Sequence, residues 1–194
     1  MRFTPDNHYI MGLWLAARDD KGLPRMDAAI FARDTRVNKN VCLQFRTSDG
    51  SCRFAYAGSV VENLLNENLL GTPVNNIYSD RELADLDRMQ AIKFSHPLII
   101  HSLSSITTLA GDKIQVEKLQ VPFICAATDE IIYVIGAFVV GQPISDADRA
   151  GMKDRKLKSR TVYDLETLKP IDHELTFPAP QGKTSAKPVS RAAE

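Results

Sequence analysis

A histidine and three serines that could form a nucleophile–base pair lie in one β-rich segment. His101 is followed by Ser102, Ser104 and Ser105, and such residue types can combine into a hydrolytic site. In a strand, however, neighbouring side chains point to opposite faces, so His101 cannot activate Ser102 directly. The other strand-like runs offer His101 no obvious acidic partner. The chain also has no Gly-x-Ser-x-Gly, Walker or His-Glu-x-x-His pattern, and we expect no catalytic residues.

The cysteines and the acidic residues of the sequence also argue against a metal site. Cys42, Cys52 and Cys125 are odd in number and lie at unrelated spacings. This pattern argues against a disulfide framework and against tetrahedral zinc. Glu82 and Asp85 follow the solvated side of a predicted helix. We therefore expect free thiols and no metal.

A run of basic residues follows residue 141. Its members are Arg149, Lys153, Arg155, Lys156, Lys158 and Arg160. Few acidic residues lie between them, and we expect a solvated helix face. The alternative is a docking surface for an acidic partner or for anionic phosphates, whose binding would depend strongly on salt.

The elements that would position these residues begin with an amphipathic helix. Thr4-Pro5 supplies an N-cap hydroxyl and a proline at the first helical position. Apolar residues then recur at helical spacing, at Tyr9, Ile10, Leu13, Trp14 and Ala17. This stripe should pack against a sheet or against a second copy of the chain.

Two strand-like runs follow and should pair as a hairpin. Residues 41–46 and 52–57 alternate with the period of a strand, and Asp49-Gly50 between them is a strong turn signal. The second run stops at a glycine. Ser59 and Glu62 then predict a capping box that begins a short helix.

The second half of the core predicts a helix and three strands. Ser79 and Glu82 form another capping-box pattern, before a helix that runs to about Phe94. Three β-rich runs follow, at residues 98–108, 114–123 and 131–140. The last run is apolar on both faces, so we expect a central strand that is covered on both sides.

The middle of these three runs changes its apolar parity. Ile114 and Val116 share one parity, whereas the apolar residues from Leu119 onward share the other. The change predicts a β-bulge near residue 117 or 118. Pro122 predicts an edge position or another bulge.

Composition bounds the location, the partners and the domain organisation. Equal numbers of basic and acidic residues give a net charge of zero, which argues against nucleic acid as a partner. The N-terminus has no apolar leader and no apolar run approaches a membrane span, so we expect a cytoplasmic protein. We divide the chain into an N-terminal helical cap at 1–40, a core at 41–142, and a basic extension with a disordered tail at 143–194.

This order of elements resembles the PAS fold, and its motifs resemble a PAS-like family of small stand-alone alphaproteobacterial proteins. The motifs are Trp14 followed by Arg18, Leu23-Pro24-Arg25-Met26-Asp27, Phe54-Ala55-Tyr56-Ala57-Gly58-Ser59, Leu70-Gly71, Val121-Pro122-Phe123, Thr128-Asp129 and Val134-Ile135-Gly136. The resemblance covers residues 8–142. It implies an α+β fold with a five-stranded antiparallel sheet and helices on one face. It also implies a signalling or protein-interaction module without catalytic machinery.

PAS cores can hold haem or flavin, and this sequence lacks the residues that would bind either cofactor. The haem ligand expected on the long helix is missing, because residues 79–94 contain no histidine. Cys52-Arg53-Phe54 resembles part of a photoactive flavin motif, but it lies in a predicted strand rather than in a helix. We therefore expect no cofactor.

The resemblance also implies a space between helices and sheet that a small ligand could occupy. The candidate lining residues are Tyr56, Leu86, Met89, Phe94, Ile100, Phe123, Tyr133 and Ile135. The same residues could simply fill the core. Tyr56 and Tyr133 are the best suppliers of polar groups to such a pocket.

The leading hypothesis is a regulatory module that binds a protein partner in a signalling pathway and is tuned by a small ligand. We expect a homodimer, whose contact is formed by Tyr9, Leu13, Trp14 and Ala17. Two alternatives stay open. One is a small α+β enzyme or carrier with a cone-shaped cavity, and the other is an adaptor that binds anionic phosphates or an acidic partner through the cluster from Arg149 to Arg160.

Overall fold

The computed structural model describes residues 3–18, 22–27, 29–140 and 151–171. The helices in these ranges are α1 (Pro5–Ala16), α2 (Ala29–Arg33), α3 (Ser59–Leu65) and α4 (Asp80–Ser95), with short 3-10 helices at Asn38–Asn40 and Val74–Ile77. The strands are β1 (Arg25–Met26), β2 (Val41–Arg46), β3 (Cys52–Ala57), β4 (Ile99–Thr108), β5 (Lys113–Cys125), β6 (Ile131–Val139), β7 (Met152–Tyr163) and β8 (Pro170–Ile171). No helix in these ranges is long and apolar enough to cross a membrane.

One sheet organises these elements in the order β3-β2-β6-β5-β4-β7-β8, and β1 adds a short parallel pairing to β5. The run from β3 to β4 in this order is the predicted five-stranded antiparallel sheet, and the α+β fold is confirmed. The Asp49-Gly50 turn closes the predicted hairpin, with Gly50 at φ 83°, where glycine is favoured. β6 lies between β2 and β5, as expected of a strand that is apolar on both faces.

Helices cover both faces of this sheet. On one face α1 places Ile10 and Trp14, both fully buried, against β5 and β6. On the other face α3 and α4 cover a second core, to which α4 contributes Leu86. β6 serves both cores, because Val134 belongs to the first and Tyr133 to the second. The helices of the PAS-like core thus lie on one face, and the N-terminal helix covers the opposite one.

A glycine in β6 lets α1 approach the sheet closely. A Cβ atom at Gly136 would lie 2.4 Å from Asn7 Oδ1 and 2.5 Å from Ile10 Cδ1. Contacts this short would force the helix or the side chains to move. The close packing of α1 on the sheet therefore depends on having glycine, which has no side chain, at position 136.

The corner between β3 and α3 differs from the prediction. Gly58 is the N-cap of α3, and the predicted box between Ser59 and Glu62 is not formed. Glu62 instead accepts a hydrogen bond from Leu69 N at 3.0 Å. Glycine is required at the corner because a Cβ atom at Gly58 would lie 2.0 Å from Asn38 O.

β5 has no bulge near residue 117, so that prediction is wrong. Its pairings with β4 and β6 run without a register shift. The apolar parity changes because the strand is covered on both faces: Leu119 faces the α1 core, whereas Val116 faces the α3 and α4 side. β5 pairs with β4 up to Gln120 and with β1 from Ile124. Pro122 lies between these two pairings, so it occupies a local edge of the sheet, as predicted.

β3 contains a bulge that the sequence pattern did not indicate. Leu43 pairs with Tyr56, but the next residue, Gln44, pairs with Phe54. Ala55 is therefore the extra residue of the bulge. Because of it, the side chain of Tyr56 points to the opposite face of the sheet from that of Phe54. Phe54 lies in the α3 and α4 core, whereas Tyr56 packs against the α1 core.

The basic segment predicted as a helix face is the strand β7, which pairs along β4. The sheet therefore continues past the predicted core boundary at residue 142. A register shift hides the strand alternation, because Leu157 and Ser159 pair with neighbouring residues of β4. Residues 141–150 and 172–194, which include Arg149 and the predicted disordered tail, lie outside the described residues.

Candidate functional site

A cavity of about 90 Å³ lies between α3, α4 and the sheet, and we call it the inner cavity. Its apolar wall includes Val61, Leu64 and Leu65 of α3, Met89 of α4, and Ile106, Val116 and Met152 of the sheet. Its polar lining consists of Cys42, Gln44, Tyr78, Ser104, Lys118, Gln120 and Arg155. The composition, mostly apolar with a few polar groups, is typical of a small-molecule site.

The charged residues of the inner cavity are both basic. Lys118 and Arg155 line it, and no described carboxylate does so. The guanidinium carbon of Arg155 lies 4.1 Å from the centre of the Tyr78 ring. Burial alone would raise the pKa of Tyr78, but the positive charges of Lys118 and Arg155 outweigh that effect and hold the pKa below its usual value. This end of the cavity is therefore electropositive.

A second cavity of about 320 Å³, which we call the outer cavity, adjoins the first. Five residues line both cavities: Tyr78, Met89, Ser104, Lys118 and Arg155. The two spaces are therefore separated by the same basic and aromatic side chains that give the inner cavity its charge.

Two ion pairs join β7 to α4 in the outer cavity. Arg155 Nε donates to Glu82 Oε1 at 2.9 Å, and Arg160 Nη2 donates to Asp85 Oδ2 at 2.6 Å. Glu82 also belongs to the predicted capping box with Ser79, which is formed at the start of α4. Burial would raise the pKa of Glu82, but Arg155 and the hydrogen bonds from Ser79 hold it below its usual value. The strand is thus attached to the helix by its inward-facing arginines.

A lysine is buried behind the polar wall of the inner cavity. Lys93 of α4 is fully buried, and its Nζ donates to Gln44 Oε1 at 2.9 Å and to Gln120 Oε1 at 3.4 Å. Nζ also lies 4.6 Å from the centre of the Tyr133 ring. Burial lowers the pKa of Lys93 to about 8. A buried ammonium is thus one side chain away from the cavity.

Some of the predicted pocket residues lie at these cavities. Met89 and Ile135 line the inner cavity, and Leu86 lines the outer one. Ile100 and Tyr133 are buried in the same core without lining either space. These five residues lie on the face that the PAS resemblance implied.

The other three predicted pocket residues lie elsewhere. Phe94 lines a separate cavity beside the β2–β3 turn. Tyr56 and Phe123 lie on the α1 side of the sheet. The bulge in β3 explains why Tyr56 points toward α1. Phe123 points the same way because the odd-numbered residues of β5 face α1.

Sequence reasoning missed most of the polar lining. Val116, Lys118 and Gln120 share one parity in β5 and face the inner cavity. A lysine and a glutamine at alternate positions of a strand covered on both faces would be costly in a dry core. Polar residues at alternate positions of this strand were therefore the signal by which the sequence could have indicated a cavity. Tyr78 lies at the end of a loop, where no sequence pattern indicates a place in the cavity lining.

The predicted basic surface divides into two sets. Arg155 and Arg160 face α4 through the ion pairs described above. Lys153, Lys156 and Lys158 are exposed along β7. Only the lysines therefore remain available as a docking surface among the described members of the cluster.

The apolar stripe of α1 is buried within the chain itself. Trp14 is fully buried, and its Nε1 donates to Pro122 O at 2.6 Å. Tyr9 and Leu13 are half-buried against the same core, and Ala17 is half-buried. Trp14 cannot serve as the expected dimer contact, because its whole surface is covered by its own chain.

His101 has an acidic partner after all, in the neighbouring strand. Its Nε2 lies 3.0 Å from Glu117 Oε1. The other carboxylate oxygen accepts hydrogen bonds from Thr4 N at 2.8 Å, Thr4 Oγ1 at 2.7 Å and Asn7 Nδ2 at 2.8 Å. Burial would raise the pKa of Glu117, but the hydrogen bonds from His101, Asn7 and Thr4 lower it to about 2. The pair holds the start of α1 on the sheet and lines neither the inner nor the outer cavity.

The chain belongs to the PAS domain family, whose model matches residues 2–139. PAS domains are sensory and regulatory modules, generally without catalysis, and they commonly mediate protein interactions and dimerisation. The match ends at the last residue of β6, so β7 and β8 lie beyond it.

The chain was also compared with individual proteins and with solved structures. No curated protein matches the chain. The chain is similar to a PAS-B domain of the Drosophila melanogaster protein Cycle, solved as a point variant with bound glycerol. The identity is 16%, the match covers 50% of this chain and 98% of that domain, and the TM-score is 0.36.

Proposed function

We propose that the chain is a non-catalytic regulatory module that binds a small molecule in the inner cavity and transmits this binding to a protein partner. The observation that carries the proposal is the inner cavity itself. It lies between the helices and the sheet and combines apolar walls with convergent polar groups.

The polar residues that line the inner cavity favour a ligand-binding site rather than a core that is simply filled by side chains. Gln44, Lys118 and Gln120 come from two strands and meet at one cavity. Buried polar groups cost free energy unless they find partners, and a packing core would use apolar side chains at these positions. The side-chain oxygens of Gln44 and Gln120 accept hydrogen bonds from Lys93 behind the cavity wall, and a ligand with polar atoms supplies a partner for Lys118.

The histidine–carboxylate pair supports a non-catalytic role. Glu117 already accepts hydrogen bonds from Thr4 and Asn7, and the ring of Phe3 lies 5.0 Å from the ring of His101. A general base needs access to the proton it removes. Here the pair is covered by the N-terminal segment, so it serves the attachment of α1.

β7 is the element that we propose to carry the signal. Met152 and Arg155 line the inner cavity, whereas Lys153, Lys156 and Lys158 are exposed on the same strand. A ligand that moves Arg155 also disturbs its ion pair with α4. We propose that an acidic partner surface docks on these lysines and senses the change.

A homodimer is the second part of the proposal. PAS domains commonly dimerise, and the outer side of α1 carries Leu15, which is 44% exposed. Light scattering on the wild type and on Leu15→Ser tests this contact. We expect a dimeric wild type and a monomeric variant, and a monomeric wild type would overturn this part.

Native mass spectrometry and absorbance of freshly purified protein test the ligand directly. We expect a bound small molecule in the wild type. Ala137 lines the inner cavity, so Ala137→Leu should fill the space and abolish the added mass. Ala16 is exposed on α1, and Ala16→Leu is the matched control that should retain it.

Two results would contradict the ligand proposal. One is a wild type with no added mass and no thermal stabilisation by any member of a metabolite collection. The other is an added mass that survives in Ala137→Leu while that variant keeps the wild-type fold by circular dichroism.

A further inference from the structure

We propose that the ligand of the inner cavity is a small organic carboxylate, whose anionic group binds between Lys118 and Arg155 and whose short apolar part enters the cavity. This inference rests on the proposed function and names the ligand class of that site. It follows from charge, from an unused donor and from the size of the cavity.

The first argument is the charge around Lys118. Its neighbours across the sheet are Ser102 on β4 and Ala137 on β6, which are neutral. Along its own strand, Val116 and Gln120 share its face. The residues that flank Lys118 on the same face of its own strand and directly across β4 and β6 are therefore all neutral.

The carboxylates of the outer cavity are committed elsewhere. Glu82 is bound by Arg155, and Asp85 is bound by Arg160. Asp154, which also lines the outer cavity, has an interaction of its own. With these pairs formed, Lys118 is the cation at the junction of the two cavities that an anion can neutralise.

The second argument is a buried donor. Nη2 of Arg155 is buried and forms an ion pair with Glu82 Oε1 at 2.9 Å, but the hydrogen bond to that oxygen comes from Nε, so Nη2 has N–H groups left to donate. A buried N–H group that makes no hydrogen bond destabilises the folded protein. A carboxylate can accept from two donors at once, so one anionic group can satisfy both this arginine and Lys118.

The third argument is the size of the space. The inner cavity has about 90 Å³, and one water needs roughly 10–15 Å³ on this scale, so a chain of roughly six heavy atoms fits. Its walls beyond the basic residues are apolar, formed largely by α3 and Met89. Hexanoate has the matching combination of charge and length.

The test uses three probes that each have six carbons, on the whole 194-residue chain: hexanoate, hexanol and hexylamine. Calorimetry should show hexanoate binding at least tenfold more tightly than hexanol, and no binding of hexylamine. Lys118→Met keeps the apolar length of the side chain and should weaken hexanoate at least tenfold without weakening hexanol. Lys113 is exposed on β5, the strand that carries Lys118, and Lys113→Met should bind all three probes as the wild type does.

The outcomes separate this inference from the proposed function. If hexanol binds as tightly as hexanoate and Ala137→Leu blocks both, the cavity binds ligands but the carboxylate class is wrong. If hexylamine binds as tightly as hexanoate, the class is also wrong. If no probe binds and native mass spectrometry shows no ligand, both proposals fail. Should Lys118→Met not fold, the comparison of the three probes on the wild type decides, with Lys118→Gln as a second variant.

Discussion

Lys93 and Gln44 are joined by a buried hydrogen bond of 2.9 Å that connects α4 to the polar wall of the inner cavity. The ammonium belongs to a fully buried side chain, and its other close neighbours are Gln120 and the ring of Tyr133. Cys42 and Cys52 belong to the same core as Tyr133, and burial raises the pKa of both thiols. The arrangement couples the stability of the core to the protonation of one lysine.

The first prediction concerns stability as a function of pH. The pKa of Lys93 falls from 10.5 to about 8 on folding, so the buried charge destabilises the fold below pH 8. Above this value the folded protein releases the proton while the unfolded chain still holds it. We expect the free energy of unfolding to rise by about 2 kcal/mol from pH 7 to 9.5 relative to Lys93→Met. Urea titrations at several pH values measure this difference.

Lys153→Met is the matched control for this measurement, because Lys153 is exposed on β7. It should follow the wild-type pH dependence. An identical pH dependence in the wild type and in Lys93→Met would show that the buried lysine does not titrate in this range.

The second prediction concerns Trp14. Trp14→Ala removes a fully buried side chain and its hydrogen bond to Pro122, so unfolding should become easier by about 3–5 kcal/mol. The oligomeric mass should not change, because the indole contacts only its own chain. Leu70→Ala, at a loop position that is 68% exposed, should change stability by less than about 0.5 kcal/mol. A loss of dimer mass with unchanged stability would contradict the buried position.

The third prediction concerns the packing of α1 on β6. Gly136→Ala places a methyl group against Asn7 and Ile10, and the overpacking should cost about 1–3 kcal/mol. Amide hydrogen exchange should then speed up in α1 first. Gly12 faces open space on the same helix, so Gly12→Ala should stabilise the protein by about 0.5–1 kcal/mol. Equal exchange rates in Gly136→Ala and the wild type would argue against close packing.

The fourth prediction concerns Glu117. Its carboxylate accepts hydrogen bonds from Thr4 and Asn7, and its pKa is lowered from 4.5 to about 2. The stabilisation is therefore complete above pH 4.5 and is lost as the pH falls toward 2. Glu117→Gln should be about 1–3 kcal/mol less stable than the wild type at pH 7, and the difference should shrink below pH 4.5. Denaturation at pH 7, 4.5 and 3 measures it.

The control for this prediction is Glu130→Gln, at an exposed position before β6. It should match the wild type at each pH. A difference between Glu117→Gln and the wild type that persists unchanged at pH 3 would point to packing rather than to the charge.

Local patterns in the sequence were enough to predict most elements of the core. The Asp49-Gly50 turn, the box at Ser79 and the capped N-terminal helix each depend on a few adjacent residues, and each is formed. The box at Ser59 failed because a neighbouring segment, at Asn38, requires glycine as the cap. That requirement comes from a contact between distant parts of the chain.

The candidate site was less predictable than the fold. The bulge that turns Tyr56 away from the cavity depends on how β3 pairs with β2. Lys118 and Tyr78 are far apart in the sequence and meet only when the sheet and the helices close. The basic segment lacks the alternation of a strand and so predicts a helix, because a shift in the pairing of β7 with β4 interrupts that alternation.

The sequence by itself determined most elements of the core, the PAS-like order and the need to cover β6 on both faces, because periodicity, caps and turns are local properties. Only the tertiary structure decided which residues share the inner cavity, which arginines are paired and which face Trp14 covers. The physical reason is that each of these depends on strand register and helix docking, where a one-residue shift moves a side chain to the opposite face of the sheet.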